Sequence, residues 1–490
     1  MKKAIIIGSG IGGIALSIRL SKIGYSVKVF ESNLYPGGKI HSIERNGFRF
    51  DAGPSLFTMP NYVDDLFKLC GENPRDFFNY KRKKIGCKYF WEDGTELVAY
   101  GEKNEFIKEV EEKLDVPKKV LIKYFNRAKI KYDNTSPLFL NKSLNKVKTF
   151  FSKETFKALL SFNKYDIFKS LHQINKEQLK EPHLIQLFDR FATYVGSNPF
   201  QVSGMMSLIQ HLEKHFGTYI PLKGMVSITE SLVNLAKRQG VEFLFESNVD
   251  RIVIENNTAK GIMSKGHFSP SDIVISNMDI NPTYNILMPE ISKPKKIVNN
   301  IPSSSALIFY WGISKQHPNL DLHNIFFSNN YKQEFEEIFK NYNISDDPTV
   351  YINITSKDIK KDAPKNCENW FVMVNAPYDK GQDWDLIVNK VRKSVIKKIS
   401  RNLKVDISKD IITEEILTPL IIQSKTKSHL GALYGPSSNK RLSAFFRHSN
   451  FSSDVKNLFF CGGSVHPGGG IPICLLSAKI TAELINNIDK

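Results

Sequence analysis

Cysteine is scarce and scattered: five in 490 residues (Cys70, Cys87, Cys367, Cys461, Cys474), with no CxxC pair. Neither a disulfide framework nor a thiolate zinc site is indicated, and the five are expected to be small buried hydrophobes in a reducing cytosol. Long apolar runs are also missing. Stretches such as 306–313 stop far short of the roughly 20 residues that span a bilayer, so no transmembrane helix is expected. The apolar start after Met1-Lys2-Lys3 is interrupted by Gly8, Gly10, Gly12 and Gly13 and lacks a cleavage site, so it reads as a strand and not a signal peptide. The absence of a GxSxG elbow argues against Ser/His/Asp hydrolysis. Internal repeats, heptads and low-complexity linkers are lacking too. Acid is short relative to base: 50 Asp and Glu face 68 Lys and Arg, for a net charge of +18. That excess favours an anionic surface such as membrane headgroups, unless it is compositional drift. Nucleic acid is disfavoured because no recognition module accompanies the charge.

What is present begins at residue 3. KAIIIG is a short apolar run of the kind buried on both faces of a parallel sheet, and it enters Gly8-Ser9-Gly10-Ile11-Gly12-Gly13 directly. Gly8 permits the tight turn, Gly10 lets a pyrophosphate reach the backbone, and Gly13 lets the next helix pack on the strand. That helix directs free N–H groups and a positive dipole end at the phosphates. Gly24 ends it, and a second strand from Val27 to Phe30 leads to Glu31, placed to accept ribose hydroxyl hydrogen bonds. A second loop, Tyr35-Pro36-Gly37-Gly38-Lys39, and a third Gly-rich segment, residues 47–54 ending in Pro54, could follow an extended flavin dinucleotide.

Together these segments resemble the flavin amine oxidases and carotenoid desaturases. The motifs extend along the whole chain: DAGPSLFTMP (51–60), HNIFFS (323–328), DDPTVYINI (346–354), GALYG (431–435), GGSVHPGGGIP (462–472) and SAKITAELI (477–485). Within that family the phytoene-desaturase-like enzymes are most similar, and among them CKYFWEDGT (87–95), 344–357 and 367–378 look most like the 1-hydroxycarotenoid 3,4-desaturases. The resemblance implies an α/β fold: a Rossmann-like FAD domain from 1–95, 215–290 and 415–490, with an inserted α+β substrate and membrane-association domain from 96–214 and 291–414. It implies FAD lying on Gly37, Gly38 and Pro54, with Lys39 either pairing with phosphate or solvated. Val249 would offer its backbone to the adenine. Gly463, Gly470, Ile471 and Pro472 would approach the flavin ring, with N–H groups near 471–473 stabilising negative charge on the reduced ring. Lys223 stands where the family commonly has glycine, and Gly463-Ser464 replaces the "GD" of many flavoproteins.

The implied chemistry is hydride loss from an allylic carbon to the flavin and proton loss from its neighbour, at a hydrophobic carotenoid. Because the polyene spreads the positive charge, alignment and water exclusion are the main tasks of the protein. Oxygen or a quinone would reoxidise the flavin. His466 is the candidate to orient the ring or relay a proton, or simply to fix its loop; His323 is comparable. Phe309, Tyr310, Trp311, Phe326, Phe327, Trp370 and Tyr378 either line a polyene tunnel or pack a core. Between Lys142 and Lys180 nine lysines and three acids are interleaved with aromatic and aliphatic residues, which suits a helix at a membrane interface or an ordinary amphipathic helix. The expected location is cytoplasmic, at the inner face of the cell membrane. Phytoene or dehydrosqualene desaturases, terminal carotenoid oxygenases, amine oxidases and a non-catalytic lipid-binding escort remain as alternatives.

Overall fold

A computed structural model describes residues 1–139, 165–298, 300–440 and 447–488. The apolar run after the N-terminus forms the central strand Lys3–Ile7 of a five-stranded parallel sheet. Ser26–Phe30 and Ile273–Ser276 flank it, with Glu242–Leu244 and Leu458–Phe460 at the edges. Alternation along the strand decides its two neighbours. Ala4 and Ile6 pack with Ile14, Leu232 and Leu475 under the helices Ile11–Lys22, Val226–Arg238 and Ile471–Ile488. Ile5 and Ile7 point the other way, onto Val249, Ile262 and Tyr284 and the three-stranded sheet of Val249–Glu255, Thr258–Ser264 and His267–Pro270. Burial on both faces explains the unbroken apolar run.

The last helix, Ile471–Ile488, is long and apolar enough to cross a membrane by length and composition, which the scan for apolar runs overlooked. Its Leu475, Leu476, Ala478, Ile480 and Ile485 are buried within the protein, as in a core helix.

A seven-stranded mixed sheet forms the second body, in the order Ile411–Leu417, Ser305–Ile313, Glu368–Ala376, Val350–Asn353, His323–Phe326, Ile85–Phe90, Glu96–Tyr100. Helix Trp384–Leu403 covers one face through Val391, Val395 and Ile399. Helices including Lys103–Leu114, Pro182–Asp189 and Ile209–Phe216 cluster with strands 85–100 and 323–326. Hydrogen bonding of Ile85–Phe90 to His323–Phe326 moves the first domain boundary back from residue 95 to before 85. Strand Ile411–Leu417 likewise straddles the boundary set at 415.

All seven aromatic residues suggested for a tunnel or a core are buried. Phe309, Trp311, Phe326 and Trp370 pack together under helix Trp384–Leu403, and Tyr310, Phe327 and Tyr378 are buried as well. Cys87 and Cys461 are buried as expected, but Cys70, Cys367 and Cys474 are only partly so; all five are free thiols. Most of the lysine-rich segment, 142–164, lies outside the described residues. Its described end is helix Leu171–Leu179, which starts from a Ser170–Gln173 capping box and buries Leu171, Ile174 and Leu179.

Candidate functional site

The first turn is built from backbone. Gly8 has a φ of +93°, and its N–H donates to Phe30 O at 2.7 Å, tying the turn to the neighbouring strand. A Cβ on Gly13 would stand 2.4 Å from the Gly8 carbonyl oxygen, and one on Gly10 would stand 2.7 Å from Asn277 Oδ1. Side chains are therefore excluded from where strand, helix and phosphate must converge. Helix Ile11–Lys22 begins after Gly10 with no side-chain cap and no acid in its first turn, so its first N–H groups remain for an anion.

Glu31 ends the second strand and is buried. Its Oε2 accepts from Ser9 N and Ser9 Oγ, both at 2.8 Å, and its Oε1 accepts from Asn33 N and Nδ2, both at 2.9 Å. The acid is thus held beside the phosphate turn by donors alone. Ser247 N donates to Glu31 O at 2.7 Å, which brings the start of strand Val249–Glu255 alongside. Val249 itself is buried at that strand's first position, paired with Ser264.

The second glycine loop meets the first. Gly37 N donates to Ser9 O at 2.8 Å, and a Cβ on Gly38 would lie 3.5 Å from Gly10 Cα. Lys39 makes a contact that neither of its expected roles included. Its Nζ reaches the carbonyl oxygens of Leu433 at 2.7 Å and Ala432 at 3.3 Å, and desolvation lowers its pKa. It ties the loop to the GALYG segment. A Cβ on Gly53 would fall 1.8 Å from Lys39 O, so the Gly53-Pro54 turn lies flat on this loop. Asp51, just before it, accepts from Met225 N at 3.0 Å and pairs with Arg49 at 2.7 Å. Gly224, with φ +78°, supplies the turn that Lys223 put in question.

The C-terminal loop completes the cradle. Gly462 and Gly470 have φ values of +112° and +103°, and Gly470 is exposed with open space where a Cβ would be. Gly463 is close to Gly469, whose Cα would be 3.3 Å from a Gly463 Cβ. Helix Ile471–Ile488 starts here; Ile471 and Ile473 can offer first-turn N–H groups, whereas Pro472 contributes shape and no donor. His466 is buried, 2% exposed. Its backbone carbonyl accepts from Asn450 Nδ2 at 2.8 Å and Ser477 Oγ at 2.9 Å, which ties the loop to Asn450 and the last helix.

Sequence reasoning missed three features. Asn277, at the end of strand Ile273–Ser276, sits between both glycine turns: Nδ2 donates to Cys461 O at 2.9 Å and lies 2.6 Å from where a Gly462 Cβ would be. Its place at the carboxyl end of a central parallel strand was the available signal. Arg447 is buried and donates to Tyr434 O at 3.2 Å, and its Nε lies 3.0 Å from a Gly468 Cβ position. With no carboxylate partner among the described residues, burial lowers its pKa to about 10. Nothing in its local sequence marked it. The third is a chain of hydrogen bonds, Ser55–Tyr351–His323, joining the turn after Gly53 to the second sheet.

No His/Cys/Asp/Glu grouping among the described residues could hold a metal ion. The open glycine turns, an uncapped helix start and a donor-held acid beside it do fit an extended dinucleotide, and the second glycine loop and C-terminal loop carry that surface onward. Residues 11–311 match the family model for flavin containing amine oxidoreductases. The chain is 52% identical to the 1-hydroxycarotenoid 3,4-desaturase of Flavobacterium sp. (strain P99-3), covering 99% of both chains. It is 30% identical to the 4,4'-diapolycopene oxygenase of Methylomonas sp, covering 99% of this chain and 98% of that one. Among solved structures, an oxidoreductase from Methanosarcina mazei superposes with a TM-score of 0.65 at 16% identity over the full length of both. Wild-type putrescine oxidase bound to putrescine gives 0.63 at 14% identity, over 99% of each chain. These two likenesses establish the fold. The family match and the full-length relatives establish more: the protein is an FAD-dependent oxidoreductase that belongs to the flavin containing amine oxidoreductases, in their carotenoid desaturase branch.

Proposed function

We propose that this desaturase introduces the C3–C4 double bond into the acyclic end of a 1-hydroxylated carotenoid. The observation that carries this reading is the 52% identity, over 99% of both chains, to an enzyme of that activity. When bound, FAD supplies the hydride acceptor. The chain's own work is alignment and dryness. Between the hairpin His41–Ala52 and the seven-stranded sheet, Ile308, Phe371, Met373 and Leu433 of the GALYG loop belong to one apolar cluster, which supports this face as the place for a polyene. The charge left by hydride loss is spread by the polyene itself, so no strong base is needed.

A host making 1-hydroxylated acyclic carotenoids, beside hosts making phytoene or diaponeurosporene, tests the reading. Loss of two hydrogens from the hydroxylated pigment alone supports it. Conversion of phytoene would make this an earlier desaturase, and gain of oxygen a terminal oxygenase. We also propose that the protein works at the inner face of the cell membrane, with oxygen or a quinone as electron acceptor. The net charge of +18 and the insolubility of the substrate support the first part, and sedimentation with anionic liposomes at low salt tests it. Anaerobic reoxidation by a soluble quinone tests the second.

A further inference from the structure

A 1-hydroxylated substrate brings one polar group into an apolar site. Its carbon C1 is separated from C3 by a single carbon, so whatever recognises the hydroxyl must stand beside the reacting bond. The turn after Gly53 lies on the carbonyl of Lys39, whose side chain reaches Leu433 of the apolar floor. There Ser55, half-buried, places Oγ 2.8 Å from Tyr351 OH, which in turn lies 2.7 Å from His323 Nδ1.

The far end of this chain is anchored by Asn353. Its Nδ2 donates to Leu322 O at 3.0 Å and stands 3.2 Å from His323 Nδ1. The contacts from Ser55 Oγ to Tyr351 OH and on to His323 Nδ1 hold the three side chains in line. A hydroxyl both donates and accepts, so Ser55 Oγ keeps hydrogen-bonding capacity beyond Tyr351. His323 is buried and neutral, its pKa pushed by desolvation to about 4, and its Nε2 has no hydrogen-bond partner among the described residues. Among those residues the imidazole is hydrogen-bonded through Nδ1 alone. Ile308, Met373, Tyr351 and Ile325 are cross-strand neighbours in one row of the sheet, so the Tyr351 hydroxyl is set between the apolar Met373 and Ile325.

We propose that Ser55 Oγ hydrogen-bonds the substrate's 1-hydroxyl group, with Tyr351 and His323 as positioning residues that hold the Ser55 side chain in place. The inference rests on the 1-hydroxycarotenoid reading. A site built around a hydroxyl discriminates strongly against an analogue that lacks it, because its own polar atom is then left unpaired.

The test compares wild type, Ser55→Ala, Tyr351→Phe and His323→Gln on a 1-hydroxylated acyclic carotenoid and its counterpart without the hydroxyl. Specificity constants, with kcat and KM separated, are measured beside binding, read as the shift of the carotenoid visible band. The expected result is a wild-type preference for the hydroxylated compound that falls roughly tenfold in Ser55→Ala and Tyr351→Phe, mainly through KM and with a parallel loss in binding preference. Unchanged FAD content and melting temperature identify folded variants, and Ser55→Ala, the least disruptive, keeps the test decisive should Tyr351→Phe lose its fold. A wild-type ratio in both variants, or an equal loss on both substrates, overturns the inference alone. A wild type without preference overturns the 1-hydroxycarotenoid reading, and the inference with it.

Discussion

The cofactor cradle and the substrate floor are made of different material. Around the glycine turns the protein offers main chain: Gly8, Gly10, Gly13, Gly37 and Gly470 are there because a side chain would collide, strain the backbone or close the surface. Across the seven-stranded sheet it offers side chains, whose chemistry depends on which strands lie together. Backbone geometry is encoded locally, by a few glycines at fixed spacing. A floor of side chains is encoded by topology, and Ser55, His323 and Tyr351 become neighbours only once strands 323–326 and 350–353 have paired.

The harshest way to break the comparison is to put one methyl into the cradle. Gly13→Ala places a Cβ 2.4 Å from the Gly8 carbonyl oxygen, where helix and strand have no slack. The expected outcome is protein that retains essentially no flavin, seen as loss of the visible flavin absorbance after purification. Full flavin content would mean that the turn yields, and the cradle would not be the rigid half of the molecule.

Next in size is the core of the second body. Phe309 is fully buried, stacked on Trp311 at 5.4 Å, beneath helix Trp384–Leu403. Phe309→Ala should cost about 3–5 kcal/mol in denaturant unfolding while leaving the substrate preference of the surviving folded enzyme intact. A changed preference at unchanged stability would return this side chain to the tunnel.

These two experiments mark what was legible in the sequence. The parallel strands, the glycine helix, Glu31 and the C-terminal loop could be read because each is a short motif with one physical cause. Roles that depend on a distant partner could not be read. Lys39 reads as a phosphate ligand or a solvated lysine, and nothing near it in the sequence points to Leu433 O, its acceptor some four hundred residues on. The aromatic strands suit a tunnel or a core equally well until helix Trp384–Leu403 is seen to cover them. Asn277 and Arg447 acquire meaning only from the turns they contact.

Acid sharpens the comparison at a middle scale. Burial pushes His41, His211 and His323 from 6.5 to about 4, and one of them, His323, belongs to the substrate floor. Their native pKa values lie below the unfolded ones, so between about pH 6.5 and 4 the unfolded chain binds protons that the native state does not. Stability is therefore intact above that window and falls as pH drops through it, with a share of about 3 kcal/mol from His323. Urea midpoints measured at several pH values should show this slope, and His323→Gln should remove its part. A slope that persists in full would assign the acid sensitivity elsewhere.

The smallest effect probes the seam between the two kinds of region. Lys39 stands in the cradle's sequence but spends its charge on the carbonyls of Leu433 and Ala432, in the segment that borders the substrate floor. Lys39→Met keeps the aliphatic stem and removes the donors, leaving two partly buried carbonyl oxygens one partner short. The cost should be about 1 kcal/mol, at the lower end for such losses because water can reach part of the site. FAD affinity should change little at any ionic strength, since the lysine is committed to the protein and not to a phosphate. Titration of the apoprotein with FAD at low and high salt separates the two roles. A large, salt-dependent loss of affinity would show that the amine leaves its carbonyls for the pyrophosphate, and the seam would then belong to the cradle.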